Sequence, residues 1–326
     1  MRTSRSVLVP LVAVTALALS ACGSGGDDAS SSADGSGHTV GYMIWNTTVP
    51  FYSGLISTAE STADGLGMDL DIRSGNGDLA TQISVVQQFV TEGVDMLLIS
   101  PSDPAGIIPA VRQANAAGIP VMAVNTMADT SGGAEVVTYV GVDDVDFGRK
   151  QGELLVQAIG EEGKVGYVLG TLGTSAQLQR QEGLMEVLSE HPGIEIIAEQ
   201  SANWDNAQAL STIQDMLNRF GPGEIDAIVG QGPESVSGAL DAKSGGRTDV
   251  TFVLGDYPAD VRSAIRDGAV YGTVVQNPAP QGEQALRLTK AWLDGDTSSV
   301  PQPQAFLDMP IVTADNVEDV AAAWGE

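Results

Sequence analysis

The segment Val94-Asp95-Met96-Leu97-Leu98 recurs 131 residues later as Ile225-Asp226-Ala227-Ile228-Val229. Each copy is a short aliphatic run, which is typical of a strand buried on both faces of a parallel sheet. A second pair, Val40-Gly41-Tyr42 and Val165-Gly166-Tyr167, opens the two halves of the chain with an offset of 125 residues. The repeat predicts two domains of the same design.

Short aliphatic runs alternate with longer amphipathic segments from Thr39 onward. This alternation is the pattern of βαβ units with a parallel sheet, so the predicted fold class is α/β. Predicted strands of the first half are 39–44, 69–73, 96–99 and 120–124, and predicted helices are 51–66, 78–92 and 104–117. Predicted strands of the second half are 164–169, 194–199, 227–229, 251–254 and 271–275, and predicted helices are 175–188, 206–218 and 234–242. In such sheets ligands bind beyond the carboxyl ends of the strands, so functional residues are expected just after strands.

The charge balance excludes several classes of function. The chain carries 42 Asp and Glu against 15 Lys and Arg, a formal net charge of −27 at pH 7. Binding to nucleic acid needs a Lys/Arg footprint, and electrostatic adhesion to anionic lipid needs a polybasic patch. Neither is available. The hydrophobic fraction of 43% is ample for a packed core, so the acidity is not that of a disordered chain.

The N-terminal segment has the composition of an export signal. Arg2 and Arg5 precede an apolar run at 7–19, which is too short for a comfortable membrane-spanning helix. Leu19-Ser20-Ala21-Cys22 resembles the bacterial lipobox, where cleavage leaves a cysteine that is then lipidated. Residues 1–21 are therefore predicted to be a lipoprotein signal peptide; an ordinary signal peptide with an incidental cysteine is the alternative.

Residues 22–37 are predicted to form a flexible tether, because after Cys22 they consist only of Gly, Ser, Asp and Ala. Lipidated Cys22 would then hold the folded part at the outer face of the cytoplasmic membrane.

The sequence gives little support for catalysis, metal binding or a cofactor. Gly75-Asn76-Gly77-Asp78-Leu79-Ala80 matches only the loose dinucleotide fingerprint, and no acidic residue ends the next strand, so a glycine-rich turn is the better interpretation. Cys22 is the only cysteine, and His38 and His191 are the only histidines, which excludes a Cys/His zinc site and a Cys–His nucleophile pair. The carboxylate pair Asp143-Asp144 is expected to be solvated surface in so acidic a chain.

Aromatic and neutral hydrogen-bonding residues follow the predicted strands. A polyhydroxylated ligand needs this mixture, because flat rings cover its C–H faces and planar polar side chains pair with its hydroxyl groups. The main candidates are Phe51, Tyr52, Ser100, Asn125, Arg180, Trp204, Asp256 and Gln276, and the secondary ones are Trp45, Thr126, Gln231 and Asp143. Each of Phe51, Tyr52 and Trp204 taken singly has the alternative of being a core residue.

In these segments the chain resembles the type I periplasmic solute-binding proteins, specifically the ribose/galactose-type sugar-binding proteins of ABC importers. The resemblance runs from about Thr39 to Thr313. Its most specific pieces are Pro50-Phe51-Tyr52, Leu97-Leu98-Ile99-Ser100-Pro101-Ser102-Asp103, Ala117-Gly118-Ile119-Pro120-Val121, Gly173-Thr174-Ser175-Ala176 with Arg180 and Glu182-Gly183, and Gly255-Asp256. It implies two similar open Rossmann-like lobes, a hinge of three crossovers, a ligand enclosed between the lobes, and delivery to an ABC permease and its ATPase.

The resemblance also implies domain boundaries and a subunit state. The N-terminal lobe is predicted to comprise 38–142 and 277–303, and the C-terminal lobe 143–276 and 304–326. The crossovers are expected near 141–143, after 276 and near 303. A monomer without cofactor is expected.

Carried over residue by residue, the family pattern places Phe51 and Tyr52 on one side of the ligand and Trp204 on the other. Arg180, Asp256 and Gln276 match its polar contacts, and Asp256 is the one carboxylate expected in the ligand shell.

The departures from the ribose pattern concern the identity of the ligand. They are Val49, Ser100, Asn125-Thr126, Gly232 and Gly255. Asn125-Thr126 replaces an Asp-Arg pair, which removes a charge-assisted fork for adjacent hydroxyls and argues against ribose. The smaller residues suggest a different ring, a larger sugar or a linear polyol, with Trp45 filling part of the space.

Two other functions remain open for the same residues. One is a ligand-binding sensor subunit for a membrane signalling receptor, and the other is an exported enzyme acting on carbohydrate. A DNA-binding repressor of this lobed fold needs a basic helix-turn-helix at its N-terminus, where this chain has the export signal and tether.

Overall fold

The computed structural model describes residues 37–325. The predicted signal peptide, Cys22 and all of the tether except Gly37 lie outside the described residues. Among residues 37–325, no helix has both the length and the apolar content required to cross a bilayer.

Two six-stranded sheets form the framework of the described chain. The first contains β1 (Thr39–Ile44), β2 (Asp69–Ser74), β3 (Met96–Ser100), β4 (Val121–Val124), β5 (Tyr139–Gly141) and β11 (Gln304–Phe306), in the order β11-β5-β4-β3-β1-β2. The second contains β6 (Glu162–Leu169), β7 (Gly193–Ser201), β8 (Ala227–Gly230), β9 (Thr251–Gly255), β10 (Gly272–Val274) and β12 (Ile311–Thr313), in the order β12-β10-β9-β8-β6-β7. All neighbouring strands are parallel except β10 and β12, which are antiparallel.

Helices cover both faces of each sheet. On the first sheet they are α1 (Pro50–Leu66), α2 (Leu79–Glu92), α3 (Ile108–Ala116) and α9 (Pro278–Leu293). On the second they are α4 (Asp144–Ile159), α5 (Ser175–Glu190), α6 (Asn206–Arg219), α7 (Val236–Ser244) and α8 (Ala259–Arg266). Short 3-10 helices span Pro233–Ser235 and Thr297–Ser299. This architecture confirms the predicted α/β class.

The repeated aliphatic runs are central strands buried on both faces. In β3, Met96 and Leu98 pack into the core under α1 and α9, whereas Leu97 and Ile99 pack into the core under α2 and α3. In β8 the alternation recurs, with Ile228 on one face of the second sheet and Val229 on the other. Because both faces need apolar side chains, these strands are continuous hydrophobic runs.

Within residues 37–325 the chain passes between the sheets three times, through residues 142–143, 275–277 and 307–310. The third was predicted near 303 and is a few residues later, because Gln304–Phe306 still pairs with β5 in the first sheet. Residues 304–306 therefore belong with the N-terminal lobe.

Candidate ligand-binding site

A cavity of about 390 Å³ lies where the carboxyl ends of strands from both sheets meet. This volume falls within the range of roughly 300–1,000 Å³ that is usual for small-molecule sites. Nine of the twelve predicted site residues line it: Trp45, Phe51, Tyr52, Asn125, Thr126, Arg180, Trp204, Asp256 and Gln276. Residues that are far apart in the sequence thus form one continuous wall.

Aromatic rings of the first lobe and of the C-terminal segment line one side of the cavity. Phe51 and Tyr52 lie in the first turn of α1, with ring centroids 5.6 Å apart and ring planes at 90°. Trp45 packs edge-on against Tyr52 at 6.4 Å. Trp324, near the C-terminus, packs edge-on against Phe51 at 5.5 Å. Such edge-to-face pairs hold the rings in fixed orientations.

Tyr52 and Asn125 connect this aromatic wall to the end of β4. The hydroxyl of Tyr52 donates a hydrogen bond to Asn125 Oδ1 at 2.8 Å. Burial raises the pKa of Tyr52 well above its usual value, so its hydroxyl stays protonated and remains a donor. The backbone of Asn125 has a positive φ of 65° and is fixed by its N–H bond to Val140 O at 2.8 Å.

The opposite side is organised around Arg180 of α5. Its Nε donates to Asp144 Oδ1 at 2.8 Å, and the two side chains are only 3% and 1% exposed. Its Nη1 donates to Gln231 O and its Nη2 to Gln276 Oε1, each at 2.7 Å. The guanidinium also lies 3.7 Å from the centroid of the Phe147 ring. These four contacts hold the guanidinium of Arg180 in one orientation.

The charge of Arg180 is retained despite burial. Burial lowers the pKa of the guanidinium, but the carboxylates of Asp144 and Asp256 outweigh this effect and hold the pKa above its usual value. Asp256 Oδ1 lies 3.6 Å from Arg180 Nη1. A buried, paired cation therefore lies at the wall of the cavity.

A close helix crossing makes the pairing of Arg180 with Asp144 possible. A Cβ atom on Gly183 would lie 1.9 Å from Val145 O, and one on Gly148 would lie 2.1 Å from Arg180 O. Glycine at both positions lets α4 and α5 approach until the two charges meet. The expectation that Asp144 is solvated surface was wrong, because this contact buries it completely.

Asp256 and Glu234 are carboxyl groups buried at the cavity wall, 6% and 2% exposed. Burial, with a contribution from Asp144, raises the pKa of Asp256 to about 7 against the opposing effect of Arg180. Burial, with a contribution from Asp256, raises the pKa of Glu234 to about 8. Within residues 37–325, Asp256 Oδ1, Glu234 Oε1 and Gln276 Nε2 are buried without a hydrogen-bond partner. These atoms are two acceptors and one donor that a polyhydroxylated molecule matches.

Three predicted site residues do not line the cavity. The hydroxyl of Ser100 donates to Val124 O at 2.7 Å and pairs with the Tyr42 hydroxyl at 2.9 Å. Asp143 caps α4, accepting from Val145 N at 3.1 Å and Asp146 N at 3.0 Å. Their polar groups are engaged in fixing strand and helix ends.

Gln231, the third of these, is fully buried beneath the site. Its Oε1 accepts from Gly170 N at 2.9 Å, and its Nε2 donates to the Tyr167 hydroxyl at 2.8 Å and to Gln177 O at 2.9 Å. The contribution of Gln231 to the site is its backbone carbonyl, which accepts a hydrogen bond from Arg180.

Glu234 and Trp324 line the cavity but were not among the predicted site residues. Glu234 comes four residues after the end of β8, so the rule that functional residues follow strands was the available signal. No local sequence pattern predicted that Trp324 lines the cavity. Its position depends on the last passage between the sheets and on the hydrogen bond from Ala259 N to Trp324 O at 3.0 Å. Among the described residues, no group of three or more His, Cys, Asp or Glu side chains is arranged to hold a metal ion.

The family model of the periplasmic binding protein domain matches residues 40–297 of this chain. The chain belongs to the periplasmic binding protein family. Periplasmic binding proteins with similar sequences include the xylitol-binding protein of Mycolicibacterium smegmatis, 30% identical over 97% of this chain and 87% of that protein. The ribose import binding protein of Escherichia coli is 30% identical over 81% of this chain and 88% of its own length.

Among solved structures of periplasmic binding proteins, an ABC transporter solute-binding protein from Mycobacterium smegmatis with bound glycerol superimposes with a TM-score of 0.79. It is 25% identical, and the match covers 87% of this chain and 96% of that one. The resemblance to the type I, ribose/galactose-type binding proteins and the predicted two-lobed fold are confirmed. The ribose import binding protein and the ABC transporter solute-binding protein are binding proteins of transporters, which confirms the prediction that this chain is not an enzyme.

Proposed function

We propose that this protein is the extracytoplasmic solute-binding component of an ABC importer and that it encloses a neutral sugar or polyol between its two lobes. The observation that carries the proposal is the polar cluster around Arg180, in which Asp256 Oδ1 and Gln276 Nε2 lack partners and lie at one cavity with five aromatic residues. Rings cover C–H faces, and the planar polar groups pair with hydroxyls.

The charges at the cavity favour an uncharged ligand. Arg180 is already paired with Asp144 and lies beside Asp256, so no unpaired positive charge is offered to an anionic ligand. Two relatives are named as a xylitol-binding protein and a ribose import binding protein, and these names support a small polyhydroxylated solute.

The end of β4 argues against ribose itself. Asn125 and Thr126 take the place of the Asp-Arg pair of the ribose pattern, and the Oδ1 atom of Asn125 already accepts a hydrogen bond from Tyr52. The first lobe therefore offers no charged fork to adjacent hydroxyl groups. A different ring, a larger sugar or a linear polyol fits this site better than ribose.

The mechanism we propose is hinge closure. Phe51, Tyr52 and Asn125 belong to the first sheet and its helices, whereas Arg180 and Asp256 belong to the second, so the full set of contacts forms only when the lobes are together. A ligand then shifts the equilibrium towards the closed form by its greater affinity for that form. The permease, with its ATPase, would recognise the closed surface of both lobes.

Contacts between the lobes support closure around the cavity. Met127 N, after β4, donates to Ser175 Oγ at the start of α5 at 2.8 Å. The ring of Trp324, whose segment bonds to α8, packs on Phe51 of α1. Both contacts join the two lobes and would open with the hinge.

Lipid anchoring through Cys22, after removal of residues 1–21, remains part of the proposal. It would hold the protein at the outer face of the cytoplasmic membrane, near its permease, as a monomer. Replacement of Cys22 by Ala should release the exported protein from the membrane fraction, and unchanged membrane association would contradict the anchor.

The test of solute capture is calorimetric titration with a panel of xylitol, D-ribose, myo-inositol, D-galactose and a nucleoside. At least one polyol or sugar should bind without being converted. Conversion of the bound compound to product would favour the exported-enzyme alternative. Loss of uptake in a strain lacking the protein would favour import over a sensor that signals to a membrane receptor.

A further inference from the structure

A carboxyl group that the family resemblance did not predict lies at the cavity beside Arg180 and Asp256. Glu234 is in the 3-10 helix Pro233–Ser235, which Gln231 and Gly232 separate from the end of β8. Its side chain is buried, and its Oε1 has no hydrogen-bond partner within residues 37–325. Both features mark it as a polar group directed at the site.

Gly232 leaves the space that Glu234 uses. A Cβ atom on Gly232 would lie 2.4 Å from Glu234 Oε2 and 2.9 Å from Trp204 Cζ3. A Cβ atom on Gly170 would lie 1.9 Å from Trp204 Cζ2. The indole therefore packs over two glycines, and the carboxyl group of Glu234 occupies the place where a side chain at 232 would begin.

A structural role does not account for this carboxyl group. Burying a polar group without a partner costs free energy, and Glu234 lies near a second buried carboxyl group, that of Asp256. An apolar side chain at 234 would avoid both costs. Residues that lower stability in this way are found where function requires them.

We propose that Glu234 is a ligand-binding residue that determines specificity, pairing through its carboxyl group with a second hydroxyl of the sugar or polyol beside the one bound by Asp256. This inference rests on the proposed function. Gly232 and Glu234 act as a pair, since the absence of a side chain at 232 admits the carboxyl group.

The charges that face Glu234 are consistent with this role. Asp256, at the end of β9, disfavours the ionisation of Glu234. Arg180, on α5, favours it, and the guanidinium of Arg180 is itself paired with Asp144. With a pKa of about 8, the carboxyl group is mostly protonated at pH 7. It can then both donate to and accept from a hydroxyl group.

The test is calorimetric titration of the purified protein with xylitol, D-ribose, myo-inositol and D-galactose, together with thermal unfolding of the ligand-free form. The variants are Glu234→Gln and Glu234→Ala, with the exposed Glu195→Gln as the control. Glu234→Ala should lower affinity at least tenfold and Glu234→Gln less, without lowering the unfolding temperature of the ligand-free protein. Glu195→Gln should change neither.

A double variant tests the pairing of positions 232 and 234. Gly232→Asn should abolish binding, because the new side chain clashes with Glu234 and Trp204, and Gly232→Asn with Glu234→Ala should recover part of it.

Two results would overturn the inference alone. One is affinity within twofold of wild type in both Glu234 variants, and the other is a fall in affinity that only accompanies a lower unfolding temperature. A wild-type protein that binds no compound of the panel would instead contradict the proposed function, and this inference with it.

Discussion

Asn125 and Asp256 occupy equivalent positions in the two lobes, one directly after β4 and the other directly after β9. Their φ angles are 65° and 60°, and each backbone N–H donates a hydrogen bond of 2.8 Å to the neighbouring strand. Short polar side chains tolerate this left-handed conformation better than most residues. The internal repeat has therefore produced a site of two halves, with an amide on one side and a carboxyl group on the other.

Replacement of Asp256 by Asn should weaken ligand binding at least tenfold while leaving stability unchanged or raised. Asn keeps the shape and tolerates the positive φ, but its amide has one oxygen where the carboxyl group has two. Calorimetry and urea denaturation measure the two effects, with the exposed Asp215→Asn as the control. Unchanged affinity would remove Asp256 from the ligand shell.

Replacement of Arg180 by Met should abolish binding and destabilise the protein by about 3–5 kcal/mol, because it leaves Asp144 and Asp256 buried without their cation. The matched control is Arg287→Met, since the ion pair of Arg287 with Glu283 is exposed and should contribute little. Urea denaturation of both variants measures the difference. Equal stability of the two would show that the buried cluster does not depend on Arg180.

Ligand-free stability should fall as pH rises from about 4.5 towards 8. The pKa of Glu234 is raised from 4.5 to about 8 and that of Asp256 from 3.8 to about 7, so in this range the folded state holds protons that the unfolded chain has released. The double variant Glu234→Gln with Asp256→Asn should lose this component. Urea midpoints measured between pH 5 and 8.5 give the pH dependence of stability for wild type and for the double variant. The same pH dependence in both proteins would contradict the raised pKa values.

Trp324→Ala should accelerate ligand dissociation severalfold, because the indole packs on Phe51 across the two lobes and stabilises the closed form. Stopped-flow fluorescence with a bound panel compound measures the rate. Tyr271→Ala, at a partly exposed residue of the second lobe that does not line the cavity, is the control and should leave the rate unchanged. Equal rates in the two variants would mean that the Phe51 contact does not hold the lobes together.

The sequence predicted the central framework well because its signal is local. Strands such as β3 and β8 need apolar side chains on both faces, and predicted and observed bounds differ there by one residue at most. Strands β11 and β12 have three residues each, too few for a periodicity. They form only because the last passage of the chain brings them to a sheet edge.

The site was predictable where it follows strand ends and unpredictable where it depends on packing. Asn125 and Asp256 follow strands directly, and both were predicted and line the cavity. The burial of Asp144 requires the approach of two helices at Gly148 and Gly183, which are distant in sequence. Ser100 also ends a strand, but its hydroxyl faces Tyr42 and Val124 in the protein interior, a direction that sequence position alone does not give.

Closure of the two lobes over a sugar or polyol can be measured by small-angle X-ray scattering with each panel compound at saturating concentration. A compound that binds by calorimetry should also decrease the radius of gyration, because the contacts of Tyr52 and Asp256 with one ligand require the lobes to be together. Binding with no change in the radius of gyration would contradict this closure.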